Sequence, residues 1–297
     1  MRVELDQALD AILESPGVVF LLGDIDSGKT TVGFELLQAA VRAGIPSALV
    51  DADIAQTTVG PPTTVGLKLL PDEHSLSSPL AEADRLGFVG ALSPRGHLLP
   101  HVANSAKLVD AARSGGAKLV VLDTTGLVSG IYGQTLKFHK MDLVQPDYVL
   151  ALSRGGELDP VVGIAHRFTN AQVFEVESPA QVRERSAEER MAHREKKLAS
   201  YFARGSSRWK VKPTVFMPTL PSEFDLSLLE GLVVGMEDGS GQCVGIGALE
   251  YDPDEEILRM VSPVTEGVRG LRLGSVKIDT AGRFNGVVNL SQLFRSE

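Results

Sequence analysis

Cysteine is nearly absent. Cys243 is the only one in 297 residues, so no intramolecular disulfide framework can form and a reducing compartment fits. No run of about 18 apolar residues occurs, which excludes a membrane-spanning helix on the usual length criterion. Asparagine is scarce. None of Asn104, Asn170, Asn285 and Asn289 is followed by lysine, so the Asn-Lys-x-Asp element with which many GTPases read guanine is missing. The six histidines show no metal-ligand spacing, and no internal repeat or low-complexity tract is present. Met1-Arg2-Val3-Glu4-Leu5-Asp6 is too acidic and mixed for a signal peptide, so a cytoplasmic protein is expected. Positive charge is in deficit: the net charge is −9, which argues against a nucleic-acid binder that uses its whole surface.

What is present is an ordinary globular composition, 43% hydrophobic and 23% charged, long enough for about two domains. Short apolar runs alternate with helical patterns. Val18–Leu22, Ser47–Val50, Leu119–Leu122, Asp147–Leu152 and Gln172–Val176 read as buried strands. Helices are predicted over Thr30–Ala43, with Phe34, Leu37 and Val41 on one stripe and Gly44 as the stop, and near 103–113, 134–143 and 158–168. Strand–helix alternation with apolar strands predicts an α/β fold with a parallel sheet covered by helices on both faces. Past Lys212-Pro213 the helical period fades. Turn signals at Asp238-Gly239-Ser240-Gly241, Asp252-Pro253-Asp254-Glu255 and Thr280-Ala281-Gly282 separate short strands. The expected organisation is an N-terminal helical extension (1–16), an α/β domain (17–212) and a small β-rich domain (213–297).

Gly23-Asp24-Ile25-Asp26-Ser27-Gly28-Lys29-Thr30 fits G-x-x-x-x-G-K-[ST] between a strand and a helix, the context the motif requires. Glycines let the backbone wrap phosphates, and the N–H groups at the helix start point at the anion. Gly23, Asp26, Ser27, Gly28, Lys29, Thr30 and Thr31 are therefore expected to hold a nucleoside triphosphate. Lys29 would reach the β- and γ-phosphates and the Thr30 hydroxyl would bind Mg²⁺. Partition-type ATPases often carry an additional lysine early in this loop; here Asp24 and Asp26 stand there instead.

Two further acids follow strand patterns. Asp51 and Asp53 would share one side if the second strand persists, close to the γ-phosphate, where one could accept a hydroxyl proton and the other order magnesium water. Capping of a strand end is the alternative. Gly60-Pro61-Pro62-Thr63 is a stiff loop suited to gripping an anionic substrate. Leu119-Val120-Val121-Leu122-Asp123 has the Walker-B form, so Asp123 is expected at the metal, with Thr124 next to it.

From Val182 to Lys212 ten basic residues meet only four acids. Ser186-Ala187-Glu188-Glu189 is a capping box, and the helix after it places Arg190, Arg194 and Lys197 on one face, with Arg185 just before the cap. Arginines on a segment closing over a triphosphate can neutralise the moving phosphoryl group; a solvated helix face is the plainer reading. Trp209, between Arg208 and Lys210, could stack a base but fits interdomain packing better.

Taken together, these segments resemble the polynucleotide 5′-hydroxyl kinases related to the RNA kinase of pre-mRNA cleavage and tRNA splicing. The resemblance rests on the phosphate loop, on acid-x-Asp-x-x-Gln at Asp51–Gln56 and on the Pro-containing clasp at Gly60–Thr63. It also rests on Thr124-Thr125-Gly126 and on the arginine-rich segment ending in Tyr201-Phe202. It covers about residues 17–202 and fades through the β region. It implies a P-loop kinase-like fold and transfer of the γ-phosphate of ATP or GTP, with Mg²⁺, to the 5′-hydroxyl of single-stranded RNA or DNA. By position it implies Asp53 as general base, Lys29 on the phosphates, and Thr30 and Thr124 at the metal site. Gln56, Gly60, Pro61, Pro62 and Thr63 would lie on the strand's 5′ end, with Arg190 and Arg194 as lid arginines and Arg185 beside them. The lid would span about 183–204. The sequence departs from the family in having Pro-Pro-Thr where relatives often have Pro-Gly-Thr, and Asp123 where many have an uncharged polar residue. Eukaryotic relatives also carry an N-terminal β domain that helps hold the base. Two other functions fit parts of the pattern: a non-catalytic triphosphate-binding adaptor of an RNA-processing complex, and a small-molecule kinase or NTPase.

Overall fold

The computed structural model describes residues 3–179, 183–279 and 281–294. Met1 and Arg2 of the N-terminal extension, Val182 at the start of the basic segment, Thr280 of one turn signal and the last residues, 295–297, lie outside these. The first half runs α1 (Leu5–Glu14), β1 (Val18–Gly23), α2 (Lys29–Arg42), β2 (Ser47–Ala52), β3 (Thr64–Leu70), β4 (Arg85–Phe88), α3 (Leu98–Ser114) and β5 (Leu119–Thr124). It continues with α4 (Gly130–Val144), β6 (Tyr148–Ser153), α5 (Asp159–Phe168) and β7 (Gln172–Glu177). The second part holds α6 (Ala187–Phe202), β8 (Ser207–Val211), β9 (Phe216–Met217), β10 (Leu232–Glu237), β11 (Cys243–Asp252), β12 (Ile257–Ser262), β13 (Gly270–Ile278), β14 (Phe284–Val287) and the short α7 (Leu290–Leu293). Among the described residues no helix is long and apolar enough to cross a membrane.

Strands β2, β5, β1, β6 and β7 pair in that order, all parallel. Strand alternation divides the core between the two faces of this sheet. Val18, Phe20 and Leu22 of β1 pack with Val109 of α3, Met141 of α4 and Val161 of α5. Val19 and Leu21 pack on the opposite face with Ala8 and Ile12 of α1 and Leu36 and Leu37 of α2. Each such fully buried side chain contributes about 1.5–3 kcal/mol. Helix α2 ends as its glycine foretold. Gly44, at φ +74°, donates to the Val41 carbonyl and Ile45 to the Ala40 carbonyl, the paired bonds of a Schellman stop.

One difference from the sequence reading concerns the far edge of the sheet. The sheet is not wholly parallel, because β3 and β4 join β2 antiparallel; their mixed Gly-, Lys- and Leu-containing sequences carry no clean alternation to announce a strand. The C-terminal β region continues the same sheet. Leu86 of β4 pairs with Cys243 of β11, so among the described residues a single 14-stranded sheet runs through both parts. Strand β8, just before Lys212-Pro213, pairs antiparallel with β12 of the C-terminal layer. Trp209 sits in that β8–β12 pair, half-buried against the C-terminal core.

Helix α6 begins with the predicted capping box: Glu189 N donates to Ser186 Oγ at 3.1 Å, and Ser186 N donates to Glu189 Oε2 at 2.8 Å. Its far end is pinned to the C-terminal strands. The Tyr201 hydroxyl accepts from Ile246 N at 2.9 Å and lies 3.3 Å from Ile246 O, and Phe284 N donates to Glu195 Oε1 at 3.0 Å. Removing the hydroxyl leaves the Ile246 N–H without this acceptor, whereas Ile246 O keeps Ser262 Oγ. Tyr201→Phe is therefore expected to cost about 1–3 kcal/mol. Urea unfolding would show a lower midpoint with an unchanged slope.

Candidate functional site

The site gathers at the carboxyl ends of β1, β5 and β2. Gly28 takes φ +88° where the phosphate loop enters α2, a conformation glycine adopts without strain. Lys29 is buried, and its Nζ donates to Asp24 O at 2.7 Å and to Ser27 Oγ at 3.4 Å, so it lies along the loop it would share with phosphates. Burial lowers its pKa, opposed by the charges of Asp123, Asp53, Asp24 and Asp26. The Thr30 hydroxyl donates to Asp123 Oδ2 at 2.6 Å, which joins the phosphate loop to β5. Asp123 Oδ1 is buried with no hydrogen-bond partner. Burial raises the pKa of this carboxyl against the pull of Lys29 and Thr30. A hydroxyl and an unpartnered carboxylate oxygen side by side are hard donors and fit Mg²⁺, which takes few protein ligands and completes its shell with phosphate and water. The described residues include no cluster of three or more His, Cys, Asp or Glu that would cage a metal without phosphate. Thr31 is exposed one residue further along α2.

The two loops meet closely. A Cβ on Gly126 would stand 2.5 Å from Ile25 N, so the segment after β5 can approach the phosphate loop only as glycine. Thr124 is turned inward: its hydroxyl donates to Leu21 O at 2.7 Å and accepts from Lys137 Nζ at 2.6 Å. The neighbouring Thr125 Oγ1 is buried and unpartnered.

Asp51 and Asp53 occupy different settings. The strand ends at Ala52, so the period-two argument does not carry to Asp53. Asp51 is buried, and its carboxylate accepts from the backbone N–H groups of Asp53, Thr58 and Val59, fastening the clasp to β2. Its pKa is pushed up to about 7, by burial first and then by Asp123, against the Val59 and Thr58 N–H groups. Asp53 is half-buried, and its Oδ1 accepts from Ala55 N at 3.1 Å and Gln56 N at 3.0 Å. Its charge acts to raise the pKa of Lys29 and of Arg194. In the clasp, Gly60, Pro61, Pro62 and Thr63 are buried. Thr63 holds φ +76°, unfavourable for a β-branched residue, and its Oγ1 is unpartnered.

Asp26 joins the phosphate loop to the basic helix. Its carboxylate accepts from Arg185 N at 2.9 Å and Arg190 Nη1 at 3.2 Å, with Arg185 Nε 3.7 Å away, and Arg154 Nη2 donates to its carbonyl. Its side chain thus faces α6 rather than the inside of the phosphate loop. Gln56 Nε2 donates to Arg190 O at 3.1 Å, and Lys197 Nζ to Thr58 O at 3.3 Å, so α6 also rests on the clasp. Arg194 is half-buried on the same face; burial and Arg190 lower its pKa, and Asp53 opposes them.

Arg154, Thr125, His101, Lys137 and Lys140 are at or beneath the site and were not read from the sequence. The last two had a signal. Gly133, Leu136, Lys137, Lys140, Met141 and Val144 form the buried stripe of α4, so two lysines hold positions where periodicity calls for apolar residues. Lys140 is completely buried, with Nζ 2.9 Å from His101 Nε2. Its pKa is lowered to about 7 by burial, against the carboxylates of Asp53, Asp51 and Asp123. The unfolded chain therefore binds more protons than the folded one between about pH 7 and 10.5. The stability penalty is full below that window and fades as pH rises through it. Lys140→Met should accordingly raise Tm by several degrees at pH 7, with the gain shrinking towards pH 10 in a melting series.

Residues 23–204 match the family described as the mRNA cleavage and polyadenylation factor CLP1 P-loop. The chain is 26% identical to the polyribonucleotide 5′-hydroxyl-kinase of Methanocaldococcus jannaschii, over 95% of this chain and 93% of that protein. It is also 26% identical to the polyribonucleotide 5′-hydroxyl-kinase of Pyrococcus furiosus, with the same coverage, 95% and 93%. The polyribonucleotide 5′-hydroxyl-kinase Clp1 of Xenopus tropicalis is 26% identical over 91% of this chain but 60% of its own length. Among solved structures, a chain of the wild-type Clp1p–Pcf11p complex superposes with a TM-score of 0.71 at 12% identity, covering 92% of this chain and 78% of that one; this likeness bears on the fold. With its phosphate loop, Walker-B strand, clasp and basic helix all inside the matched span, the chain belongs to the CLP1 P-loop family.

Proposed function

We propose that this chain is a polynucleotide 5′-hydroxyl kinase, moving the γ-phosphoryl group of ATP or GTP to the 5′-hydroxyl end of single-stranded RNA or DNA. The observation that carries the reading is the place of Asp53, at the end of β2, where it acts on both the phosphate-loop Lys29 and the Arg194 of α6. A base for an acceptor hydroxyl belongs between the donor's phosphates and the cations that balance them. The names of the archaeal relatives, similar over nearly their whole length, support the same activity and favour RNA.

In this reaction the 5′-oxygen attacks the γ-phosphorus and the bond from that phosphorus to the β,γ-bridging oxygen breaks. The hydroxyl proton passes to the Asp53 carboxylate, and the nucleoside diphosphate leaves. Lys29 holds the β- and γ-phosphates. Thr30 and Asp123 would hold Mg²⁺, which supplies charge neutralisation at the phosphates when bound. Thr124, placed beside them by sequence, supports that site from within the fold. Arg190 and Arg194 neutralise the moving phosphoryl group, and Arg185 fixes the start of α6 over the loop. Asp51 shapes the clasp, and Gln56 with Gly60–Thr63 positions the acceptor's 5′ end. With the acceptor on the β2 side, the nucleoside extends the other way. There a cavity of about 580 Å³, lined in part by Glu4, Gln7, Arg154, Gly155 and Glu177, opens at the ends of β6 and β7. A cytoplasmic setting accompanies the reading.

Transfer of γ-³²P from ATP and from GTP to short 5′-OH RNA and DNA tests the proposal. Asp53→Ala is expected to lower kcat by about 10²–10⁴ with nucleotide binding retained. Arg190→Ala should lower it by about 10³. No transfer by the wild-type chain from either donor, with triphosphate binding intact, would leave an adaptor. Asp123→Asn is expected to raise the Mg²⁺ concentration for half-maximal transfer by roughly tenfold while Tm stays near wild type; an unchanged Mg²⁺ titration would remove Asp123 from the metal site.

A further inference from the structure

Beneath the site lies a polar layer that the reaction as described does not use. Lys137, Lys140 and His101 are all fully buried, on α4 and α3, under the sheet ends that carry the acids. Lys137 Nζ donates to Thr124 Oγ1 and to Thr125 O, each at 2.6 Å. His101 Nε2 lies 2.8 Å from Ala52 O and 2.9 Å from Lys140 Nζ. A carbonyl only accepts, so Nε2 carries the hydrogen and donates it to Ala52 O; Lys140 Nζ, 2.9 Å away, can share that hydrogen only as the neutral amine and does not donate to Nε2. His101 Nδ1 has no partner.

The targets are not arbitrary. Ala52 and Thr124 are register partners in the parallel β2–β5 pair, and each is the last residue of its strand. Ala52 immediately precedes Asp53, and Thr124 immediately follows Asp123. The layer thus grips two strand-end positions, one next in sequence to the proposed base and the other next to the proposed metal carboxylate. Burying two lysines and a histidine is costly, and an apolar stripe would pack α4 more stably.

We propose that Lys137 and the Lys140–His101 pair are positioning residues that set the ends of β5 and β2, and through them Asp123 and Asp53, in the geometry phosphoryl transfer needs. The proposal rests on the kinase reading for its consequence in catalysis but not for its structural content. The lysines do not touch substrate. They act by holding Thr124–Thr125 and, through His101, the Ala52 carbonyl, and a misplacement of about 1 Å at such a site can cost about 10²-fold in rate.

The test compares the full-length chain with Lys137→Met, Lys140→Met and His101→Leu by steady-state transfer, melting and amide hydrogen exchange. The lysine variants are expected to lose about 10- to 100-fold in kcat, with KM for the nucleotide within about threefold of wild type, measured well below the Tm of each variant. Exchange should quicken at least tenfold in Lys137→Met at residues 123–126 and in His101→Leu at 52–56, with the remaining core protection unchanged. Should His101→Leu fold poorly, Lys140→Met reports on the same β2 contact. Wild-type kcat and exchange in the lysine variants would overturn the proposal, as would a loss of kcat that merely follows a lowered Tm. If the wild-type chain transfers no phosphate, the kinase reading fails alone, and the exchange data still decide whether the layer holds the two strand ends.

Discussion

Strand β5 is inserted between β1 and β2, and the parallel pairing on both its sides brings the site together. The phosphate loop leaves β1, Asp123 ends β5 and Asp53 follows β2, so one sheet edge receives three elements that lie far apart in sequence. The Thr30–Asp123 hydrogen bond closes the first two against each other, and the backbone bonds to Asp51 draw the clasp up beside the third. Without that strand order the same motifs would stand on different edges. Parallel strands with buried crossovers supply a platform, and the candidate site residues sit just past its end, where backbone N–H groups and loop side chains can face a ligand.

The C-terminal strands extend this platform rather than forming a separate body. They reach the sheet through β4 and hold the end of α6 through Tyr201 and Glu195. Helix α6 is thus fastened at its far end by the C-terminal strands and at its near end by Asp26 of the phosphate loop. The Asp26 contacts are ionic and partly open to solvent, so phosphate groups can compete for the same arginines. The Tyr201 contact is partly buried and neutral.

Charge burial gives the site its character. Asp51, Asp123, Lys29, Lys137 and Lys140 are all buried near the same sheet end, where burial disfavours the charged form of each; nearby acids offset that cost for the lysines, Lys29 and Lys137 offset it for Asp123, and backbone N–H groups offset it for Asp51. Stability alone does not account for such a set. Buried ion clusters are commonly matched or bettered by apolar packing, and the unpartnered atoms of Asp123, Thr125 and His101 mark where the native fold accepts a deficit.

The sequence by itself determined the local pieces. A Gly-rich turn before Lys29, an acid after four apolar residues at Asp123, the box at Ser186 and the stop at Gly44 each depend on neighbours a few residues away, so their structure follows from short-range sterics and hydrogen bonding. The parallel strands were legible for the same reason, since full burial leaves unbroken apolar runs. Long-range pairing was not. Strands β3 and β4 carry no alternating pattern, and their identity comes from the neighbours they join. The burial of Lys137, Lys140 and His101, the turning inward of Asp51 and Thr124, and the facing of Asp26 toward α6 were likewise decided by tertiary structure. A side chain's charge is written in the sequence, but the partner that makes its burial tolerable comes from another strand or helix, and only the folded sheet brings the two together.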